Sequence, residues 1–86
     1  MSAKVVIYTT ETCPYCVRAK QLLQRKQVEF EEIKVKDDKM REELIKKSGG
    51  RRTVPQIFIN DSHIGGYDDL AQLDQERKLD KLLKNQ

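Results

Sequence analysis

Hydrophobic residues in this chain fall into short blocks whose spacing changes from one block to the next. Val5-Val6-Ile7-Tyr8 is a continuous apolar run. Its lack of alternation predicts a strand buried on both faces, an inner member of a helix-covered sheet. Pro14 suits a first helical turn, and Ala19, Leu22 and Leu23 follow at i, i+3, i+4 spacing, with Gln27 beyond the helix end. Traced back three residues, that stripe reaches Cys16, which points its sulfur inward and leaves Cys13 at the exposed helix tip. Val28-Glu29-Phe30-Glu31 alternates apolar and charged, the pattern of a strand with one wet side at a sheet edge. Asp37 or Asp38 can cap a second helix carrying Met40, Leu44 and Ile45, which Ser48-Gly49-Gly50 ends. Ile57-Phe58-Ile59 is a second buried strand. Asn60-Asp61-Ser62 reads as a turn into a short strand at His63-Ile64, and Gly65-Gly66 breaks the chain again. Asp68 or Asp69 then opens a terminal helical region with Leu70 and Leu73, followed by Leu79, Leu82 and Leu83 at helical spacing.

The order β-α-β-α-β-β-α predicts an α/β fold: a four-stranded mixed sheet with flanking helices, the two continuous apolar runs forming its inner strands. The first strand, helix and strand make a βαβ unit with an expected right-handed crossover. At 86 residues the chain is read as one small domain, residues 1–86, with room for a modest core. No apolar run approaches the roughly 18 residues that span a bilayer. Met1-Ser2-Ala3-Lys4 leads straight into a strand with no secretory pattern, so a cytoplasmic location and no membrane association are expected. Seventeen basic and 14 acidic residues give a net charge of +3, interleaved along the chain without a basic block. Solvated surface explains that charge, and nucleic acid is not expected as a partner.

The chemistry concentrates in Cys13-Pro14-Tyr15-Cys16. Two thiols separated by two residues, at a strand-to-helix turn, form a redox centre of the thioredoxin type. The competing readings are a structural disulfide or half of a metal site. Closing so short a loop restricts the unfolded chain little, about 2 kcal/mol on the chain-entropy model, which makes stapling a poor reason for the spacing. Zinc wants four ligands, and His63 is the sole histidine, so no metal is expected. At a helix start, unpaired N–H groups and the positive end of the dipole favour Cys13 as thiolate. Lowering a thiol's basicity also lowers its nucleophilicity, so the gain lies mainly in departure from a mixed disulfide, and acceleration of attack must come from positioning the substrate.

Three separated motifs carry a family resemblance: Cys13-Pro14-Tyr15-Cys16, Thr53-Val54-Pro55-Gln56 and Gly65-Gly66-Tyr67-Asp68-Asp69-Leu70. In this order and at these distances the chain resembles the glutaredoxins, in particular small bacterial members with two active-site thiols. The resemblance implies a thioredoxin-like fold, a cis peptide before Pro55, glutathione as co-substrate with no tightly bound cofactor, and a monomer acting on disulfide-containing or glutathionylated proteins. It implies Cys13 as nucleophile and Cys16 as the resolving thiol, needed for protein disulfides but dispensable for deglutathionylation. On the same pattern Val54 offers its backbone to the cysteine of glutathione, with Thr53 and Pro55 shaping that loop. Gly66, Tyr67, Asp68 and Asp69 bring a helix start to the γ-glutamyl end, where N–H groups suit a carboxylate and an Asp suits an ammonium. Helix capping is the plain alternative for either Asp, and Tyr15 is a substrate wall or simply a half-buried aromatic. Arg41, Arg51 and Arg52 are candidates for the glycine carboxylate, each readable singly as solvated charge; His63 reads as a surface strand residue. Two positions depart from the family's pattern: Thr10 stands where many members have a basic residue, and Tyr67 where many have a cysteine. The alternatives in function are an iron-sulfur cluster carrier and a redoxin reduced by a flavoprotein reductase.

Overall fold

A computed structural model describes residues 4–84 apart from Thr12 and Arg52, with Lys84 given by its backbone alone. The expectations placed on Met1 to Ala3 and on Arg52 therefore lie outside the described residues. Strand β1 (Val5–Thr9) extends the first apolar run by one residue. Val5, Ile7 and Thr9 are buried, whereas Val6 and Tyr8 are only half-buried. The expectation of burial on both faces is corrected here: the core gathers on one face, and the other is left partly open.

Helix α1 (Pro14–Arg25) starts with Pro14, whose missing N–H costs nothing in a first turn, and buries the expected stripe of Cys16, Ala19, Leu22 and Leu23. Gln27 adopts a left-handed φ of 59°, and the Val28 N–H still bonds the Leu23 carbonyl at 3.4 Å. That tie to the helix end delays strand β2 to Phe30–Lys34, two residues later than the alternation at Val28 predicts. Strand β2 lies at the sheet edge and runs parallel to β1, Val5 opposite Phe30. Across this pair Thr9 Oγ1 donates to Glu32 Oε2 at 2.7 Å, and Lys20 Nζ from α1 reaches the same oxygen at 3.1 Å.

Asp37, not Asp38, caps helix α2 (Asp38–Lys47), its Oδ1 accepting from the Met40 N–H at 2.8 Å. Strands β3 (Gln56–Ile59) and β4 (Ser62–Gly65) are joined by Asn60 and Asp61, both left-handed at 52° and 68°. A two-residue turn of this kind matches the strand twist. Ser62 thus already belongs to the strand, not to the turn. The sheet order is β2-β1-β3-β4, with the two apolar runs inside as expected.

The terminal region differs most from expectation. Helix α3 (Tyr67–Gln75) has Gly66 at its N-cap, and Asp69 reaches back to the Gly66 N–H at 3.0 Å. Neither Asp68 nor Asp69 occupies the cap position itself. Arg77 then turns left-handed at φ 62°, and a separate helix α4 (Lys78–Lys84) follows, giving β-α-β-α-β-β-α-α. The break turns Leu79 and Leu83 back onto the core beside Leu70, Leu22 and Leu23. Lys26, past the end of α1, bridges Asp74 of α3 and Asp80 of α4, the latter at 3.2 Å. Among the described residues no helix is long and apolar enough to cross a membrane.

The register decides where the motifs meet. Strand β3 runs antiparallel to β1 with Gln56 opposite Tyr8, and β4 runs antiparallel to β3 with Gly65 opposite Ile57. The segment leaving β1, the segment entering β3 and the segment leaving β4 therefore emerge at one end of the sheet.

Two outcomes follow from this packing. Leu79 is fully buried, so Leu79→Ala should lower the unfolding free energy by about 2–5 kcal/mol in urea titrations, as for a core leucine. The Glu32 carboxyl is held below its ordinary value of 4.5 by the Thr9 hydroxyl first and the Lys20 ammonium second. With its folded value below the unfolded one, its contribution is complete above about 4.5 and is lost as pH falls through the folded value. Urea midpoints measured from pH 6 down to about pH 3 should fall less steeply in Glu32→Gln than in the wild-type protein.

Candidate active site

Cys13 is the N-cap of α1: its backbone is extended (φ −145°, ψ 98°), and its Sγ accepts from the Cys16 N–H at 3.2 Å. A sulfur thus takes the place usually held by a serine or aspartate oxygen at a helix start. Cys13 and Cys16 are joined as a disulfide. Cys16 is buried with the α1 stripe, and Cys13 is half-exposed rather than fully exposed at the tip, because Val54 stands over it. Cys13 Sγ lies 3.7 Å from the Val54 carbonyl oxygen. Two motifs some 40 residues apart in sequence are thereby in contact through one sulfur.

The Val54–Pro55 peptide is cis. Tyr15, Thr53, Val54, Pro55, Tyr67 and Asp68 line a cleft of about 270 Å³ beside the cysteine pair. Its walls are the Tyr15 and Tyr67 rings, 6.2 Å apart between centroids, and the Arg18 guanidinium sits 5.6 Å above the Tyr15 ring. Tyr15 is 55% exposed and Val17, two residues along, 49%; they are the large exposed hydrophobics among the described residues.

Gly66 is packed close to the Val54–Pro55 loop: a β-carbon on it would stand 3.3 Å from the Pro55 carbonyl oxygen. Gly65, at φ 123°, lies in a region that side chains disfavour, and a β-carbon there would overlap the Asp69 carboxylate. These two glycines let the helix start approach the loop and let Asp69 fold back on it. Asp69 also pairs with Arg51 Nη2 at 3.6 Å, both side chains about half exposed. Of the sequence-predicted residues, Tyr15, Thr53, Val54, Pro55, Tyr67 and Asp68 line the cleft, with Cys13 against Val54, Cys16 joined to Cys13, and Gly66 and Asp69 at the adjoining start of α3. Arg41 lies on the exposed side of α2 and does not line it. Arg51, weighed for a glycine carboxylate, is engaged at the opposite partner, the Asp69 carboxylate.

Sequence reasoning missed the support beneath the loop. Gln56 is fully buried, and its Nε2 donates to the Thr53 carbonyl at 2.9 Å and to Thr53 Oγ1 at 3.2 Å. Its Oε1 faces His63 Nε2 at 2.6 Å. Burial, and then the nearby Arg51 charge, push the His63 imidazole below its usual range, with Asp69 opposing. The available signal was a glutamine set against an otherwise apolar inner strand. A larger groove of about 410 Å³ opens on the far face of the sheet over Val6, Tyr8, Ile33 and Phe58, and it contains none of the predicted site residues.

Comparison with known proteins agrees with this geometry. A family model described as Glutaredoxin matches residues 5–64. Glutaredoxin 3 of Escherichia coli is 59% identical over 83 residues, which cover 95% of this chain and 99% of that protein. The solution structure of glutaredoxin from Brucella melitensis superposes with a TM-score of 0.85 at 52% identity, covering 96% of this chain and 90% of that one. A buckwheat glutaredoxin solved as a glutathione complex superposes with a TM-score of 0.86 at 29% identity, covering 94% and 76%. With a CxxC pair capping a helix beside a Val-cisPro loop, and with relatives matched over nearly its whole length, the chain belongs to the glutaredoxin family.

Proposed function

We propose that this glutathione-dependent thiol-disulfide oxidoreductase works by two routes, reducing protein disulfides with both cysteines and glutathione-protein mixed disulfides with Cys13 alone. The observation that carries the reading is the cleft of Tyr15, Thr53, Val54, Pro55, Tyr67 and Asp68 beside a cysteine whose sulfur caps a helix. Glutathione is the ligand in the buckwheat relative, and the cleft here has the parts to hold it. Val54 presents a main-chain segment 3.7 Å from Cys13 Sγ, measured at its carbonyl oxygen, suited to the cysteine of glutathione. The start of α3 at Gly66 and Tyr67, with Asp68 and Asp69, suits the γ-glutamyl carboxylate and ammonium.

In the dithiol route the Cys13 thiolate attacks one sulfur of the substrate disulfide, and the other sulfur leaves as a thiolate. The Cys16 thiolate then attacks Cys13 Sγ, which forms the Cys13–Cys16 disulfide and frees the reduced substrate. One glutathione thiolate opens that disulfide at Cys13, and a second attacks the bound glutathione sulfur, which yields oxidised glutathione and restores the Cys13 thiolate. In the monothiol route Cys13 takes the glutathionyl group directly and Cys16 is a bystander. Burial of Cys16 fits a sulfur that meets only its neighbour, and the N–H groups of the first α1 turn stabilise Cys13 each time it leaves as thiolate.

Exposed Tyr15 and Val17 flank Cys13 as an apolar platform for a disulfide-bearing polypeptide. One chain supplies every element of the cleft around one hydrophobic cluster, which supports a monomer acting as a single domain over residues 1–86. A compartment that keeps glutathione reduced is the setting this chemistry requires, and we place the protein in the cytoplasm. Family membership favours this reading over a cluster carrier or a flavoprotein-coupled redoxin.

Turnover of a small glutathione mixed disulfide, coupled to glutathione, glutathione reductase and NADPH, should be abolished in Cys13→Ser and retained in Cys16→Ser. Reduction of a protein disulfide should be lost in both variants. Absence of glutathione-dependent turnover in the wild-type protein would overturn the proposal.

A further inference from the structure

The Gln56 amide has one orientation available to it. Its Nε2 faces the Thr53 carbonyl at 2.9 Å, and a flipped amide would set two carbonyl oxygens against each other there. The Oε1 is thereby turned to His63, 2.6 Å away, so His63 carries its proton on Nε2 and donates it. Phe58, paired with His63 across the β3–β4 ladder, holds the imidazole from the side with ring centroids 5.2 Å apart. His63, Gln56 and Thr53 form a chain in which each donor has an acceptor, and no buried side-chain nitrogen or oxygen among the described residues lacks a partner.

The consequence lies in the next peptide group. The Thr53–Val54 peptide is trans, so its carbonyl and its N–H point in opposite directions. With the Thr53 carbonyl accepting from Gln56, the Val54 N–H points away from Gln56, and both Thr53 and Val54 line the cleft. We propose that Gln56, braced by His63, is a positioning residue for the reaction: it locks the Thr53–Val54 peptide plane and so presents the Val54 main chain to the glutathionyl group. The inference rests on the reading of the cleft as a glutathione site. It assigns a purpose to a polar side chain buried at the entry of an otherwise apolar strand, where a hydrophobic residue would serve packing equally well.

Gln56→Met keeps an unbranched side chain of similar length and removes both the donor and the acceptor. With a glutathionylated peptide as substrate and glutathione, glutathione reductase and NADPH as the coupling system, we expect kcat/KM to fall about tenfold, the loss of one well-placed hydrogen bond, through a raised KM. Alkylation of reduced Cys13 by iodoacetamide, which does not use the cleft, should stay within about twofold, as expected when thiolate reactivity is untouched. In amide proton–nitrogen spectra the Val54 cross-peak should move, and its displacement by added glutathione should shrink. His63→Leu, a change at an exposed residue, should act in the same direction with a smaller effect, and it provides the reading if Gln56→Met does not fold. An unchanged KM and Val54 cross-peak would overturn the proposal, as would an equal fall in alkylation and turnover, which is the mark of general loosening. Failure of the wild-type protein to turn over the glutathionylated peptide or to respond at Val54 to glutathione would instead refute the glutathione site itself.

Discussion

The antiparallel register of β3 against its two neighbours is the constraint on which everything else in this molecule depends. Tyr8 opposite Gln56 and Ile57 opposite Gly65 put the exits of β1 and β4 and the entrance of β3 at the same end of the sheet. Three motifs that share no local connection become neighbours only through that pairing. A slip of one residue would carry Ile57 and Ile59 off the core face and would also pull Val54 out of reach of Cys13 Sγ. Burial of the apolar side chains of β1 and β3 therefore fixes the geometry of the active site, and stability and catalysis draw on the same register.

At the end of the sheet, the cap of α1 joins folding to chemistry a second time. The first turn of any helix leaves N–H groups without intrahelical partners, and here one of them is answered by the Cys13 sulfur. In the disulfide that sulfur is a weak acceptor; as a thiolate it offers a full negative charge to the same N–H and to the positive end of the helix. Reduction thus strengthens the cap. On the proposed mechanism, a Cys13 thiolate departing in each exchange step would be stabilised by donors that the fold already has in place, with no reorganisation of the backbone needed at the moment of reaction.

Much of this was legible in the sequence, for identifiable reasons. The runs Val5 to Tyr8 and Ile57 to Ile59 announced the inner strands because continuous apolar runs have few other uses, and the stripe through Cys16, Ala19, Leu22 and Leu23 placed one sulfur inside. The motifs around Cys13, Val54 and Gly66 identified the cleft because their residues are unusual at those places. What escaped were features without a compositional mark. No glycine or proline announces the break at Arg77, which is set by the gain from folding Leu79 and Leu83 back on the core. The half-open face of β1 escaped because an apolar run cannot state how completely its second face is covered. His63 read as a solvent-facing strand residue, yet one edge of its ring serves Gln56.

The far end of the cleft follows from space rather than from charge alone. Gly65 takes a backbone conformation that side chains disfavour, and only its lack of a β-carbon lets the Asp69 carboxylate fold back to the Gly66 N–H. Gly66 in turn comes close to the Pro55 carbonyl, so the start of α3 and the Val54–Pro55 loop are packed as one unit. Arg51 closes the arrangement by pairing with Asp69, holding the carboxylate between a backbone donor and a guanidinium. An incoming ammonium must share that carboxylate with Arg51, and an incoming carboxylate finds the remaining N–H groups of the helix start with Arg51 nearby. Because both Arg51 and Asp69 are about half exposed, water screens their pairing and leaves it weak enough to be rearranged by a zwitterionic ligand. On the proposed reading of the cleft as a glutathione site, the γ-glutamyl end, which carries both charges on one carbon, would match that exchange in a way that neither a simple anion nor a simple cation would.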